Sequence, residues 1–472
     1  MYLHQRFVPG LAIASYIVGD ESTGRAAVVD PTRDVEPYIT AADEQGLRIT
    51  DILETHVHAD YVSGSRELKA RLDAVGVTIH ASGAGGAAWT PAYADRVVHH
   101  RDEVALGQVR LKALHTPGHT PEHLSWAVYD DSRASDEPWL VLTGDFLFVA
   151  DVGRPDLLGP EAQRELAHQL YASVFERLDT LPDYVEVYPG HGAGSLCGKA
   201  MSRRMSSTLG YERRFNAALQ WAGEKQWTAS LLDGMPPAPP YFARMKRVNR
   251  DGPPVLGPVL PGGRALEPGQ VREQIEAGAQ VLDVRSKEAF AGGHVPGAVH
   301  IALDDNLATW AGWVLSYERP IVLVLDQPAQ REQAVTQLVR VGLDDVRGHL
   351  AGGIDAWQTA GLAVAHVQTV SAPELAARLA ASDNGDRPVV VDVRTEAEWH
   401  SGHVPGSMSI HAGQIEQRID ELPTDRPIAV MCGSGQRASV AASLLKRAGR
   451  EQVMNVLGGL AAWRAAGLET VQ

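Results

Sequence analysis

Thr55-His56-Val57-His58-Ala59-Asp60-Tyr61 is the stretch on which the reading of this chain turns. It places two imidazoles and a carboxylate within the five residues from His56 to Asp60, directly after a short β-like run, Ile52–Glu54. Imidazole and carboxylate are good ligands for zinc and ferrous iron. Loops that leave strand ends carry chemistry because a rigid scaffold positions them. Three more candidates follow in order: His119 in Thr116-Pro117-Gly118-His119-Thr120, Asp145 in Thr143-Gly144-Asp145, and His191 in Tyr188-Pro189-Gly190-His191-Gly192. A glycine beside each allows a tight turn and close backbone approach. A lone histidine reads first as a core or capping residue. This many candidate ligands in this order reads as a metal site.

The chain around this site has 472 residues, room for about three domains of roughly 100–200 residues each. A hydrophobic content of 44% and a charged content of 21% allow large cores. The formal charge of −15, from 43 basic and 58 acidic residues, argues against a non-specific nucleic-acid binder. Cys197 and Cys432 are the two cysteines, too few for a disulfide framework, and they point to a reducing compartment. The apolar run Val8–Val18 is broken by Pro9 and Gly10, lacks a basic flank and is too short to span a bilayer. The expectation is a cytoplasmic protein that binds neither nucleic acid nor membrane, with a homo-oligomer left open.

From Met1 to about Arg250, β-like runs alternate with helical patterns. Leu11–Val18, Ala26–Val29, Ile52–Glu54, Val109–Ala113 and Leu140–Thr143 read as strands. Ser65–Ala74 and Pro160–Leu178 read as helices, the second opened by its proline. Between about Gly234 and Gly263 proline is frequent, as in Pro236-Pro237-Ala238-Pro239-Pro240, which reads as a linker or bracing segment. Beyond it the chain repeats itself. Val281-Leu282-Asp283-Val284-Arg285 and Gly293-His294-Val295-Pro296-Gly297 return as Val390-Val391-Asp392-Val393-Arg394 and Gly402-His403-Val404-Pro405-Gly406. Gly352-Gly353 before Trp357 returns as Gly458-Gly459 before Trp463. The spacing is that of a duplicated domain, since solenoid units repeat every ~20–50 residues. Each copy alternates strands and helices, the pattern of a small parallel sheet flanked by helices. The expected division is 1–250, 251–365 and 366–472.

The metal motif resembles the H-x-H-x-D-H signature of the metallo-β-lactamase superfamily, with Tyr61 in place of the last histidine. The resemblance implies an α/β fold, an αββα sandwich with its metal cleft at one edge. In two-metal members such as glyoxalase II, residues matching His56, His58, His119 and Asp145 hold one metal. Those matching Asp60, position 61, His191 and the shared Asp145 hold the other. A phenol with a pKa of about 10 is a poor substitute for that nitrogen. The persulfide dioxygenases, a mononuclear branch, keep one Fe(II) on the residues matching His56, His119 and Asp145, a facial triad with open positions. The resemblance then makes His58, Asp60, Tyr61 and His191 groups that orient ligands or polarise substrate. Whether His58 stays off the metal is open from the residues alone; if it ligates, zinc gains. Arg154 matches a substrate-pocket arginine of glutathione persulfide dioxygenases, where its fork suits a carboxylate; the competing reading pairs it with Asp151 or Asp156. Cys197 lies close behind His191 and reads either as a buried inert thiol or as a persulfide carrier facing the metal.

In the second copy, Met431-Cys432-Gly433-Ser434-Gly435-Gln436-Arg437 follows a strand. A cysteine, small residues and an arginine make a loop whose backbone N–H groups converge on one centre and stabilise an anion. This resembles the active loop of a rhodanese, a sulfurtransferase whose cysteine carries a persulfide. Four residues separate Cys432 from Arg437, one fewer than in phosphatases of the C-x5-R type. Resemblance thus implies Cys432 and Arg437 as catalytic, with Gly433, Ser434, Gly435 and Gln436 cradling the substrate. The first copy has Leu325-Asp326-Gln327-Pro328-Ala329-Gln330-Arg331 at this point. A carboxylate forms no persulfide and Pro328 removes an N–H from the nest, so this copy should be a spacer or docking surface.

Together these parts resemble the bacterial multidomain sulfurtransferases that detoxify sulfide. The expected activity is oxidation of glutathione persulfide, or another low-molecular-weight persulfide, by O2 to sulfite on one Fe(II) per chain, coupled to sulfur transfer by Cys432. The competing expectation is a glyoxalase II-like zinc thioester hydrolase carrying a sulfur-carrier or docking module.

Overall fold

Alternation along the strands sets the layers. In the strand Ile13–Asp20, Ala14, Tyr16 and Val18 join one core while Ile17 joins another, as a period of two requires. The first of these cores also takes Leu111, Ala113, Trp126, Val128, Leu140 and Leu142 from a second sheet. The other is filled by Tyr38 and Ala42 from the helix Glu36–Glu44 and by Leu68 from the helix Ser65–Arg71. On the far side, Val141 and Val187 of the second sheet pack with Leu170 and Trp227 from the helices Pro160–Ala172 and Glu224–Leu232. Two sheets face to face with helices outside each is the αββα sandwich.

The computed structural model describes residues 1–72, 76–220, 223–381 and 387–472. They form two compact units: Met1–Val259 with Val339–Gly342, and Leu260–Leu338 with Leu343–Gln472. In the first unit, among the described residues, the two facing sheets have six strands each, beside a two-stranded ribbon of Leu147–Phe148 and Asp151–Val152. One runs in order Tyr2–Val8, Ile13–Asp20, Arg25–Val29, Arg48–Leu53, Thr78–Ser82 and Arg96–Val98; the other runs Ser207–Thr208, Glu186–Pro189, Leu140–Gly144, Leu124–Asp130, Val109–His115 and Glu103–Ala105.

The second unit holds two five-stranded sheets of the same order, every pairing parallel. The first is Ala265–Leu266, Val346–Leu350, Ile321–Val324, Gln280–Asp283, Val299–His300; the second is Gln368–Val370, Val453–Val456, Ile428–Met431, Val389–Asp392, Met408–Ser409. The repeated motifs hold the same contacts twice. Arg285 binds Asp283 through two nitrogens and donates to Gly293 O; Arg394 does the same with Asp392 and Gly402 O. His294 and His403 each bond the carbonyl four residues earlier, of Phe290 and Trp399.

Several elements differ from the sequence reading. The helix begun at Pro160 ends at Ala172 and continues as a wider turn, Ser173–Arg177, and a tight one, Leu178–Thr180. The helix from Ser65 is described to Arg71, and positions 73 and 74 lie outside the described residues. The proline-rich stretch is more than a linker: Phe242–Asp251, which contains no proline, forms a helix with Phe242, Met245 and Asn249 buried. Among the described residues no helix is long and apolar enough to cross a membrane.

Candidate functional site

Each expected ligand follows a strand end. His56 lies beyond Arg48–Leu53, His119 beyond Val109–His115, Asp145 beyond Leu140–Gly144 and His191 beyond Glu186–Pro189. All four are buried. Asp145 Oδ2 sits at the centre, 3.9 Å from His56 Nε2, 3.5 Å from His119 Nε2 and 3.4 Å from His191 Nε2. Glycine makes this approach possible: a Cβ on Gly190 would stand 2.7 Å from Asp145 Oδ1.

The three imidazoles are aimed by their other nitrogens. His119 Nδ1 donates to Arg154 O at 3.0 Å and His191 Nδ1 to Ala12 O at 3.1 Å. His56 Nδ1 donates to Thr55 Oγ1 at 2.9 Å, and that hydroxyl donates on to Asp30 Oδ2 at 2.7 Å. Fixing Nδ1–H leaves a lone pair on Nε2, as metal-ligating histidines require. His56 Nε2, His119 Nε2 and Asp145 Oδ2 are buried and make no hydrogen bond. Buried polar atoms are almost always paired, so three orphans converging on one point fit a cation. Burial, reinforced by His58 for His56, holds the His56 and His119 imidazoles below their usual range and favours the neutral ligand form.

Among the described residues three donor groups occur: His56, His119 and Asp145; Asp60, His191 and Cys197; and Asp30, Glu54 and His58. His58 thus groups with Asp30 and Glu54, although its ring lies 4.2 Å from that of His56 and its Nδ1 is a further buried atom without a hydrogen bond. Its Nε2 is 3.2 Å from both Asp30 Oδ1 and Glu54 Oε2. Against the burial that opposes charge, Asp30 raises His58 well above its usual range. Tyr61 belongs to this third group. Its hydroxyl donates to Asp30 O at 3.2 Å and lies 3.1 Å from His58 Nε2, and burial pushes its pKa well above the phenol range.

Arg154, expected at the substrate pocket, has its guanidinium engaged within the fold. It is 1% exposed, and its fork is taken up by Asp156 at 2.6 and 2.7 Å, Leu196 O at 2.9 Å and Pro236 O at 2.9 Å. The pairing with Asp156, not an open fork, is what the fold builds. Its backbone ties two donor groups together, since Arg154 N donates to Cys197 O while Arg154 O holds His119. Cys197 is buried, and burial, with Asp145 and Asp60 close by, pushes its thiol up to about 12.

Several residues of the site escaped the sequence reading. His123 accepts from Asp145 N at 3.0 Å, and its ring stacks on His56 with centroids 5.1 Å apart. Glu122 accepts from Val57 N at 2.8 Å, and burial raises its carboxyl to about 7. Asn249 donates to His58 O and Tyr61 O at 2.8 and 2.7 Å. Asp30 has a positive φ of 52°, a strained position that marks a constrained site.

In the second unit, Cys432 follows the strand Ile428–Met431 and precedes the helix Gln436–Arg447. Gly435 N donates to Cys432 Sγ at 3.1 Å. The loop thus sets the Gly435 N–H and a helix N-terminus beside the sulfur, an arrangement that favours anions. Ser434 and Gln436 are exposed on this loop. Arg437 does not stand free beside the sulfur: it bonds Glu398 through two nitrogens, at 2.6 and 2.7 Å. Although burial pulls the other way, Arg437 holds the Glu398 carboxyl down to about 2. Asn455 braces the loop by donating to Gly435 O at 3.2 Å. The first copy reaches this region too. Trp310 and Trp313 lie 5.7 and 5.1 Å from the His411 ring, and Lys287 Cε lies 3.4 Å from where a Cβ on Gly435 would be. The first copy's own loop is a tight turn, Pro328–Gln330, with Gln327 N bonded to Gln330 Oε1.

The glycine pair behind the loop is a close-approach device. Gly459 has φ +56°, and a Cβ there would fall 2.1 Å from Cys432 O. Gly459→Ala should therefore cost at least about 2 kcal/mol in denaturant unfolding. Gly467→Ala, at φ +69° with nothing within 4 Å, should cost only the left-handed strain of ~1–2 kcal/mol. Equal losses for the two variants would show that contact with the Cys432 carbonyl is unimportant.

Fold and site together define a metal-binding α/β sandwich joined to a duplicated sulfur-loop domain. Residues 8–191 match the family model described as the Metallo-beta-lactamase superfamily, and residues 267–360 and 371–466 each match the Rhodanese-like domain. The chain belongs to the metallo-β-lactamase superfamily and carries a tandem pair of rhodanese domains. It is 33% identical to a hydroxyacylglutathione hydrolase of Rhodopseudomonas palustris, over 55% of this chain and 92% of that one. It is 32% identical to a mitochondrial persulfide dioxygenase of Homo sapiens, over 40% of this chain and 67% of that one. Among solved structures, a metallo-β-lactamase from Staphylococcus aureus subsp. aureus COL is 36% identical with a TM-score of 0.66, covering 74% of this chain and 98% of that one. Relatives at similar identity thus include both hydrolases and dioxygenases.

Proposed function

We propose that the chain is a persulfide dioxygenase fused to a sulfurtransferase, with one Fe(II) held by His56, His119 and Asp145. One observation carries this reading: His58 Nε2 is taken up by Asp30 and Glu54. What remains is two neutral imidazoles and one carboxylate, the donor set of non-haem iron oxygenases, where a third histidine would favour zinc. Fe(II) held by these residues would supply the redox chemistry that joins a persulfide sulfur to O2.

The chain's own residues would prepare that site. Thr55 with Asp30, and the Arg154 carbonyl, keep protons on the Nδ1 atoms of His56 and His119, so both rings face inward as neutral ligands. His58, charged between two carboxylates and bonded to Tyr61, sets a fixed polar wall beside them. In balance, a persulfide R–S–SH, O2 and water give the thiol RSH, sulfite and two protons; the terminal sulfur is oxidised and O2 reduced. In the second rhodanese copy, the Cys432 thiolate attacks the outer sulfur of a persulfide, the S–S bond breaks and the thiol leaves with a proton. Sulfite then takes that sulfur from Cys432, releasing thiosulfate and restoring the thiolate. Covalent fusion keeps the shared intermediates at a high effective concentration. This assigns 1–250 to oxidation, 251–365 to cover and docking, and 366–472 to sulfur transfer in a cytoplasmic route of sulfide detoxification.

The 33% identity to a hydroxyacylglutathione hydrolase favours a second reading, a zinc thioester hydrolase with a sulfur-carrier module. Metal analysis separates the two. One iron per chain with O2-dependent sulfite release supports the dioxygenase; two zinc ions with thioester turnover and no O2 uptake supports the hydrolase. The hydrogen-bond relay behind His56 gives a finer test. Asp30→Asn should lower iron affinity by ~10–100-fold while circular dichroism stays unchanged, the usual loss when a ligand's outer partner is altered. Undiminished affinity would remove Asp30 from the metal site.

A further inference from the structure

Arg437 stands at the mouth of the Cys432 loop with its charge already offset. Its Nη2 lies 3.6 Å from where a Cβ on Gly433 would be, so the guanidinium overlooks the loop. Nη1 donates to Glu398 Oε2 at 2.6 Å and Nη2 to Oε1 at 2.7 Å, the fork-to-fork pairing that fixes a guanidinium plane as well as meeting its charge. Glu398 is itself held: Thr395 donates to Oε2 from N at 3.1 Å and from Oγ1 at 3.0 Å, as part of the cap on the helix Glu396–His400. Although burial pulls the other way, Arg437 keeps that carboxyl down to about 2, so it is charged at neutral pH. The neighbouring cations are offset too. Lys287, whose Cε approaches Gly435, pairs with Glu288 at 3.0 Å, and Arg394 pairs with Asp392 at 2.7 Å. The His411 imidazole, lowered to about 4 by burial and by Arg437, is neutral. The Gly435 N–H and the helix N-terminus remain for an anion, and these are partial charges rather than whole ones. The duplication supplies an internal comparison. Six residues after Asp392 comes Glu398; six after Asp283, in the first copy, comes Ala289. There Arg331, which matches Arg437, donates to Pro261 O at 3.2 Å. The copy with Asp326 in place of the cysteine thus also lacks the carboxylate.

We propose that Glu398 is a positioning residue that selects the sulfur donor: by holding and neutralising Arg437, it makes Cys432 take its sulfur from a thiol persulfide rather than from thiosulfate. The inference rests on the reading of Cys432 as a sulfur carrier. Thiosulfate brings two negative charges to the mouth of the loop; the outer sulfur of a persulfide brings one at most. With either donor the Cys432 thiolate attacks the outer sulfur and the S–S bond breaks. The bonding electron pair leaves on sulfite in the first case, and on the thiol, which departs with the proton, in the second. A bare Arg437 would draw the dianion in, and a paired one draws it far less. The same pairing lets thiosulfate depart once sulfite has taken the sulfur from Cys432.

The full-length protein, metal-free and under anaerobic conditions so that no persulfide is oxidised, is assayed for thiocyanate formation from cyanide, with thiosulfate or glutathione persulfide as donor. The wild type should show the higher kcat/KM with the persulfide. Glu398→Gln keeps the shape and an acceptor oxygen but removes the charge. Its kcat/KM for thiosulfate should rise at least about tenfold, through KM, while that for the persulfide changes by less than about threefold. Glu398→Asp retains the charge and should retain the wild-type preference. Adding Arg437→Gln to Glu398→Gln should cancel the gain with thiosulfate, as it must if Glu398 acts through Arg437. A further check needs no variant: the wild-type kcat/KM for thiosulfate should change little with salt. A steep fall with salt would show an uncompensated cation at the mouth and overturn the proposal. Equal changes for both donors in Glu398→Gln would make Glu398 a brace for the loop and overturn it as well, leaving sulfur transfer by Cys432 intact. Thiocyanate from neither donor would remove the sulfur-transfer reading and this proposal with it.

Discussion

Asp145→Asn is expected to abolish metal binding and O2 uptake together while the fold persists. Asp145 Oδ2 lies within 4 Å of three imidazole nitrogens, those of His56, His119 and His191. An amide keeps the shape of the carboxylate and removes the charge that offsets a dication. Loss of an outer-sphere partner costs ~10–100-fold in metal affinity, and loss of this ligand should cost more. Iron after anaerobic loading should fall from one ion per chain to a trace, with persulfide-dependent O2 uptake falling in proportion. Sulfur transfer by Cys432 should continue, because that loop is built by separate strands, Ile428–Met431 and Val453–Val456. A variant that loads iron and consumes O2 as the wild type does would dismiss Asp145 as a ligand.

Cys432→Ser is the converse. The sulfur sits where the strand Ile428–Met431 ends, with the Gly435 N–H on Sγ at 3.1 Å. A serine oxygen fits that cradle but forms no persulfide. Thiosulfate formation from sulfite and a persulfide should therefore drop to the uncatalysed rate, and intact-mass measurement after a sulfane-sulfur donor should show no added sulfur at this position. Oxygen uptake should remain, with sulfite accumulating in place of thiosulfate. Persistent thiosulfate formation would mean that another group carries the sulfur.

The candidate ligands stood out in the sequence because most carry local punctuation. Glycine stands beside His119, Asp145 and His191, and strand-like residues precede them. The duplication was legible because Asp-Val-Arg and Gly-His-Val-Pro-Gly recur, and the structure shows why: each arginine ties its aspartate to a distant glycine carbonyl. What stayed hidden depends on partners remote in the chain. Asn249 holds the His58 carbonyl across 191 residues, and its helix lies within a proline-rich stretch. Asp30 and Glu54 sit at the ends of apolar strands and reveal themselves only when His58 is seen between them. Arg154 reads as a substrate fork in sequence, yet the Leu196 and Pro236 carbonyls that occupy it converge only in the fold. The position of Tyr61 was evident from the motif, but the sequence did not show that its hydroxyl belongs to His58 and the Asp30 carbonyl.

The central claim, that His56, His119 and Asp145 hold an iron that oxidises persulfide sulfur, is tested most directly by an oxygen electrode. Iron-loaded full-length protein is given glutathione persulfide, and O2 consumption is followed together with sulfite plus thiosulfate. The account predicts one O2 consumed for each persulfide oxidised, with the metal-free protein inactive. No oxygen uptake by fully iron-loaded protein, accompanied by hydrolysis of a hydroxyacyl-glutathione thioester by the zinc-loaded form, would contradict it.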